Sequence, residues 1–117
     1  MSDVDLHRHL IGQQGSRAAL NTPALVIDRD ALQRNIEAMA RFARDAGIVL
    51  RPHAKTHKSV DVARLQLAAG AIGVCCAKLG EAEALAGGGV DNILITSPVV
   101  TPQAVERLIA LRKRVTN

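Results

Sequence analysis

The densest chemistry in the sequence is the run Arg51-Pro52-His53-Ala54-Lys55-Thr56-His57-Lys58, with five cationic or titratable side chains in eight residues. It follows directly on Ile48-Val49-Leu50, a short apolar stretch with the profile of a strand. If extended backbone continues through the run, Arg51, His53 and Lys55 share one face, and Pro52 and Ala54 share the other. A lysine held there among cations and partly buried has a lowered pKa and a larger fraction of free amine, which Schiff-base formation with an aldehyde requires. His53 and His57 titrate near neutrality and can move a proton or orient a bound group. Other readings fit the same residues: a phosphate-binding cluster without covalent chemistry, a metal site built on His53 and His57, or a solvated run of charge. Against the metal, a His-x-x-x-His pair binds zinc from a helix, which Pro52 disfavours, and no third ligand is near.

Composition bounds what surrounds this segment. The 117 residues are 48% hydrophobic and 22% charged, the balance of a soluble globular chain. One Phe and no Trp or Tyr leave aliphatic side chains to fill the interior and argue against stacking on nucleobases. The net charge of +4 is small, and Arg112-Lys113-Arg114 complements a helix C-terminus. With no nucleic-acid-binding motif, no such partner is expected. No apolar run approaches the roughly 18 residues of a membrane span, and no signal peptide is evident, so a cytoplasmic protein without a membrane partner is expected. Cys75 and Cys76 form neither a CxxC pair nor a disulfide framework; strand geometry sends them to opposite faces, reduced and mostly buried.

Residues 1–20 hold no lasting period and read as a loosely packed lead-in, in which His7 and His9 could hold a metal only with ligands from elsewhere. Residues 21–117 form the domain proper. Ala24-Leu25-Val26-Ile27, bounded by Pro23 and Asp28, reads as a strand. Asp28 or Asp30 caps a helix over 31–46 with Leu32, Ile36, Met39 and Ala43 on one face, stopped by Gly47. A second strand opens at Ile48. A helix follows over 58–69, with Val62, Leu65 and Ala69 inward and Gly70 at its end. Then come a strand over 72–76, a short helix over 81–86, a strand over 92–96, and a helix begun by Thr101-Pro102.

From Ile48 the apolar strands recur every 20 to 24 residues or so with helices between them, each strand apolar on both faces, which predicts a buried parallel sheet. The fold class is α/β, the opening part of a (β/α)8 barrel that is incomplete here, since closure typically takes about 250 residues. The alternative is a small open-sheet domain. In a barrel the working residues sit at the C-terminal strand ends, where 51–58 falls, so Arg51, His53 and Lys55 should point into its mouth.

The run at 51–58 resembles the cofactor-lysine motif of the metal-activated D-threonine aldolase and D-serine dehydratase family, fold-type III pyridoxal phosphate enzymes with an alanine racemase-type N-terminal barrel. Thr22-Pro23-Ala24-Leu25-Val26-Ile27-Asp28, the helix with Leu32 and Asn35, Gly80-Glu81-Ala82-Glu83 and Asp91-Asn92-Ile93-Leu94-Ile95 fit the same opening. The resemblance spans about residues 21 to 115. It implies a catalytic Lys55 carrying pyridoxal phosphate, with Arg51, His53, His57 and Lys58 around the cofactor and Lys58 the weaker of the two lysines. It implies a D-amino acid substrate and a lyase reaction, aldol cleavage or water loss, in the complete protein. A divalent metal with ligands outside these residues and a homodimer are also implied. The strand after Thr22-Pro23 would belong with a second, β-rich domain. The segment alone would carry half an active site and no catalysis, and a non-catalytic remnant or cofactor carrier stays open.

Overall fold

The computed structural model describes residues 3–115. The lead-in is a short helix α1 (Asp3–His7) and two 3-10 turns, Arg8–Leu10 and Ser16–Ala19, neither of which buries a residue. It is tied back where the Asn21 amide donates to His7 Nε2 at 3.1 Å.

Residues 24–28 do not form the expected strand. They carry no regular secondary structure and no ladder partner among the described residues, and Leu25 is 97% exposed. An apolar run bounded by proline specifies extended backbone, but a strand also needs a neighbour. Helix α2 (Arg29–Asp45) follows, capped by Asp28, whose Oδ1 accepts from the Ala31 amide at 2.8 Å. Its buried face is Ile36, Ala40 and Ala43; Met39, expected inside, is half exposed, because the helix seats through the smaller Ala40. Gly47 ends it at φ 65°, a left-handed conformation that costs glycine little.

The expected strand at Ile48 is present as extended backbone but not as a regular strand. Leu50 and Pro52 carbonyls accept from the Ile72 and Cys75 amides at 2.9 and 2.7 Å, and the Ala54 amide donates to Cys75 at 2.7 Å. His53 pairs with Cys75 as a single parallel bridge. The irregularity traces to Pro52, which offers a carbonyl but no N–H and so removes a rung. β1 (Val74–Cys76) pairs in parallel with β2 (Ile93–Ile95), in the register Val74 to Ile93 and Cys76 to Ile95.

Helix α3 (Val60–Ala68) is capped by Ser59 and buries Val62 and Ala63, with Leu65 left partly exposed. Helix α4 (Leu79–Gly87) starts two residues earlier than expected, and its capping box uses Glu81. Helix α5 (Pro102–Arg114) has the expected Thr101 cap and first-turn proline. The core lies between strands and helices: Ala54, Ala63, Val74, Cys76, Leu79, Ala82, Leu85, Val90 and Leu111. It is aliphatic, and the one aromatic, Phe42, is exposed. The described residues thus form an α/β arrangement of parallel extended segments with helices packed on one face.

Candidate active site

The strand face turned away from the helices carries Arg51 and His53 on the first extended segment, Gly73 and Cys75 on the next, and Asn92, Leu94 and Thr96 on the third. Their neighbours Ala54, Val74 and Cys76 face the helices and are buried. His53 lies near the C-terminal end of this face. Its Nδ1 accepts from the Lys55 amide at 3.3 Å, and its Nε2 is 3.3 Å from Thr96 Oγ1. An amide can only donate, so the neutral ring carries its proton on Nε2 and gives it to Thr96, whose hydroxyl in turn donates to the Cys76 carbonyl at 3.0 Å.

Arg51 sits one level lower. Its guanidinium crosses Gly73 to donate to the Asn92 backbone carbonyl, and at 3.1 Å to Asn92 Oδ1. Asn92 also donates through Nδ2 to the Ile72 carbonyl.

The expected alternation holds through Ala54 and fails at Lys55. Residues 54–57 turn, with the Lys58 amide donating to the Ala54 carbonyl at 2.8 Å and Thr56 Oγ1 to the His53 carbonyl at 3.3 Å. Lys55 therefore sits on the turn and is exposed, not partly buried. Among the described residues its side-chain amine has no hydrogen-bond or ion-pair partner, while its backbone amide is the group held by His53. A free primary amine is the group that condenses with an aldehyde.

His57 and Lys58 point elsewhere. His57 Nδ1 accepts from the Ser59 amide at 3.0 Å, and its ring lines a cavity of about 470 Å³ between α2 and α3. Its Nε2 and Gln66 Oε1 are both buried and near one another without reaching hydrogen-bond geometry. Burial pushes the imidazole below its usual 6.5, against the opposing influence of Gln66 and Ser59. Lys58, at φ 49°, forms an ion pair with Glu81 at 3.4 Å. Glu81 Oε2 also accepts from the Ala77 and Lys78 amides at 2.9 and 3.2 Å. Desolvation alone would raise the Glu81 carboxyl, but these amides and Lys58 together hold it below its ordinary range.

Cys75 and Cys76 are free thiols; burial, then the Glu81 charge and Cys75, push Cys76 up to about 11. Among the described residues no cluster of three or more His, Cys, Asp or Glu could hold a metal, and no helix is long and apolar enough to cross a membrane. Sequence reasoning gave no role to Gly73, Asn92 or Thr96. An isolated glycine beside an apolar strand was the available signal, since it marks a close approach of another group.

The description "Alanine racemase, N-terminal domain" matches residues 27–116, and the chain belongs to this family, within the fold-type III pyridoxal phosphate enzymes that include D-threonine aldolase and D-threo-3-hydroxyaspartate dehydratase. It is 47% identical over 95 residues to a 3-hydroxy-D-aspartate aldolase of Paracoccus denitrificans, covering 80% of this chain and 24% of that protein. It is 43% identical over 101 residues to a D-threo-3-hydroxyaspartate dehydratase of Delftia sp. (strain HT23), covering 86% of this chain and 26% of the relative. The crystal structure of D-threonine aldolase from Filomicrobium marinum superposes with a TM-score of 0.81 at 45% identity, covering 84% of this chain and 27% of that one. The chain thus spans about a quarter of the length of the curated relatives it matches.

Proposed function

We propose that the whole protein is a pyridoxal phosphate-dependent lyase acting on β-hydroxy D-amino acids by aldol cleavage, with Lys55 as the covalent attachment point of the cofactor. Loss of water, as in a D-serine dehydratase, is the alternative. The observation that carries the reading is the free, exposed Lys55 amine at the C-terminal ends of parallel strands, where barrels of this kind do their chemistry. The relatives' names, aldolases and a dehydratase of β-hydroxy D-amino acids, supply the substrate class.

When bound, pyridoxal phosphate supplies an electron sink for the pair released as a bond of the amino acid breaks. Lys55 contributes the nucleophilic amine. His53 fixes the start of the turn through the Lys55 amide, and Thr96 locks the tautomer of its ring. His57 anchors the far side of the turn against α3, while Lys58 ties it to Glu81 and the loop before α4. The described residues do not supply a ligand set for the expected divalent metal.

The test is to incubate the full-length protein with pyridoxal phosphate, reduce with borohydride, and locate the pyridoxyl group by peptide mass spectrometry. Label on Lys55 is expected. Lys55→Ala should lose it and slow turnover about a thousandfold or more, since no other amine is held in the same place. Label fixed on Lys58 instead, or full turnover without Lys55, would overturn the assignment. Aldehyde plus glycine as products identifies the aldolase; ammonia plus a 2-oxo acid identifies the dehydratase.

A further inference from the structure

We infer that Arg51 is a positioning residue: its guanidinium, held by Asn92 across the notch at Gly73, sets the height of the 48–53 segment against β1 and β2. The inference rests on the reading of Lys55 above, because the residue positioned is the one that carries the cofactor.

The register places Arg51, Gly73 and Asn92 at one level across three neighbouring extended segments, two residues before the pair His53 to Cys75 and one before the pair Val74 to Ile93. Both oxygens of Asn92 receive the guanidinium. The path between them is open only because residue 73 has no side chain: a Cβ there would stand 2.3 Å from Arg51 Nη1 and 2.1 Å from the Asn92 carbonyl oxygen. Asn92 adopts φ 56°, an unusual backbone for a residue with a side chain, and its Nδ2 ties it to the Ile72 carbonyl. One asparagine therefore joins all three segments.

The reason for such a tie lies in Pro52. With a rung missing beside it, the backbone ladder holds the first segment weakly, and a one-residue slip would turn every side chain to the opposite face. His53 would leave Thr96, and Lys55 would leave the mouth. The Arg51 side chain restores the lost registration. It is aimed at the N-terminal ends of β1 and β2, away from the ends where Lys55 stands, so it acts through the strand rather than on a bound anion.

The experiment is a double-mutant cycle in the full-length protein with Arg51→Met and Asn92→Gly, the glycine keeping the backbone conformation and carbonyl while removing the side chain. Unfolding is measured without cofactor, and kcat and the half-saturating pyridoxal phosphate concentration with it. Each single variant should lower kcat at saturating cofactor by about ten- to a hundredfold, as a displaced reacting group does. Half-saturation should shift by less than about threefold. The double variant should lose less than the sum of the two singles in both measurements, because the Arg51 to Asn92 Oδ1 bond is shared while the Asn92 tie to Ile72 is not. Gly73→Ala, which removes no functional group but whose Cβ meets both the guanidinium and the Asn92 carbonyl, should lower kcat at least as far as Arg51→Met, and Arg51→Lys should restore part of kcat. Additive losses would overturn the inference. So would an Arg51→Met protein whose half-saturation rises about tenfold or more while kcat is intact, the behaviour of a direct phosphate ligand. Should Gly73→Ala not fold, Asn92→Gly and Arg51→Lys still decide. Absence of label on Lys55 in the unaltered protein would remove the functional reading alone, since coupling of Arg51 and Asn92 in cofactor-free unfolding is measured independently of it.

Discussion

Lys55 follows the last backbone rung by one residue, and its exposure is a consequence of the turn that begins there. Alternation carried the sequence reading correctly as far as Arg51, Pro52, His53 and Ala54, then failed at Lys55 because a hydrogen-bonded turn overrides the strand period. The histidines divide for the same reason: His53 is on the strand and faces Thr96, whereas His57 is past the turn and faces the cavity behind the strand. His57 also gives a pH signature. Its folded pKa lies below 6.5, so around and below that pH the unfolded chain binds more protons than the folded one. The stabilisation is present above 6.5 and lost as pH falls toward the folded value. Replacing His57 with Gln should flatten this slope, measured as the denaturant midpoint between about pH 5 and pH 7. An unchanged slope would assign the effect to another group.

Among the elements, helix termini were the most legible. Asp28 and Thr101 each accept from the amide three residues on, as read, because a cap needs only a short polar side chain beside unpaired amides; Ser59 does the same for α3, a cap missed because that helix was expected to begin at residue 58. Asp28→Ala should cost about 1 kcal/mol in chemical unfolding of any form that retains α2, and Asp28→Asn much less. A loss equal in both would point to charge rather than capping. Strands were less legible. Apolar runs announced extended backbone at 24–27 and 48–50, but pairing depends on what lies alongside, and Pro52 breaks the ladder from within. Gly73 and Asn92 were invisible as a pair because what relates them is a contact between Arg51 and Asn92 that spans 41 residues.

At the scale of the molecule, the Cα radius of gyration is 16.9 Å, against about 13 Å for a compact chain of this length, and one dimension is only 22 Å of 47 × 42 × 22 Å. The described residues form a slab whose strand face away from the helices is uncovered. Val49 is 74% and Leu94 51% exposed on it. A slab with a bare apolar face and free strand edges should self-associate when residues 1–117 are made alone. Light scattering after size exclusion would report this, and a monodisperse monomer with cooperative unfolding would contradict it. The parallel connections carry a consequence for the order of events during synthesis. Neighbouring strands meet through residues such as Cys76 and Thr96, 20 apart, so each can dock as soon as one more helix and strand have been translated. Arg51 has a longer wait: its acceptor lies 41 residues downstream, so the ribosome must deliver two further strands before that cation finds its partner.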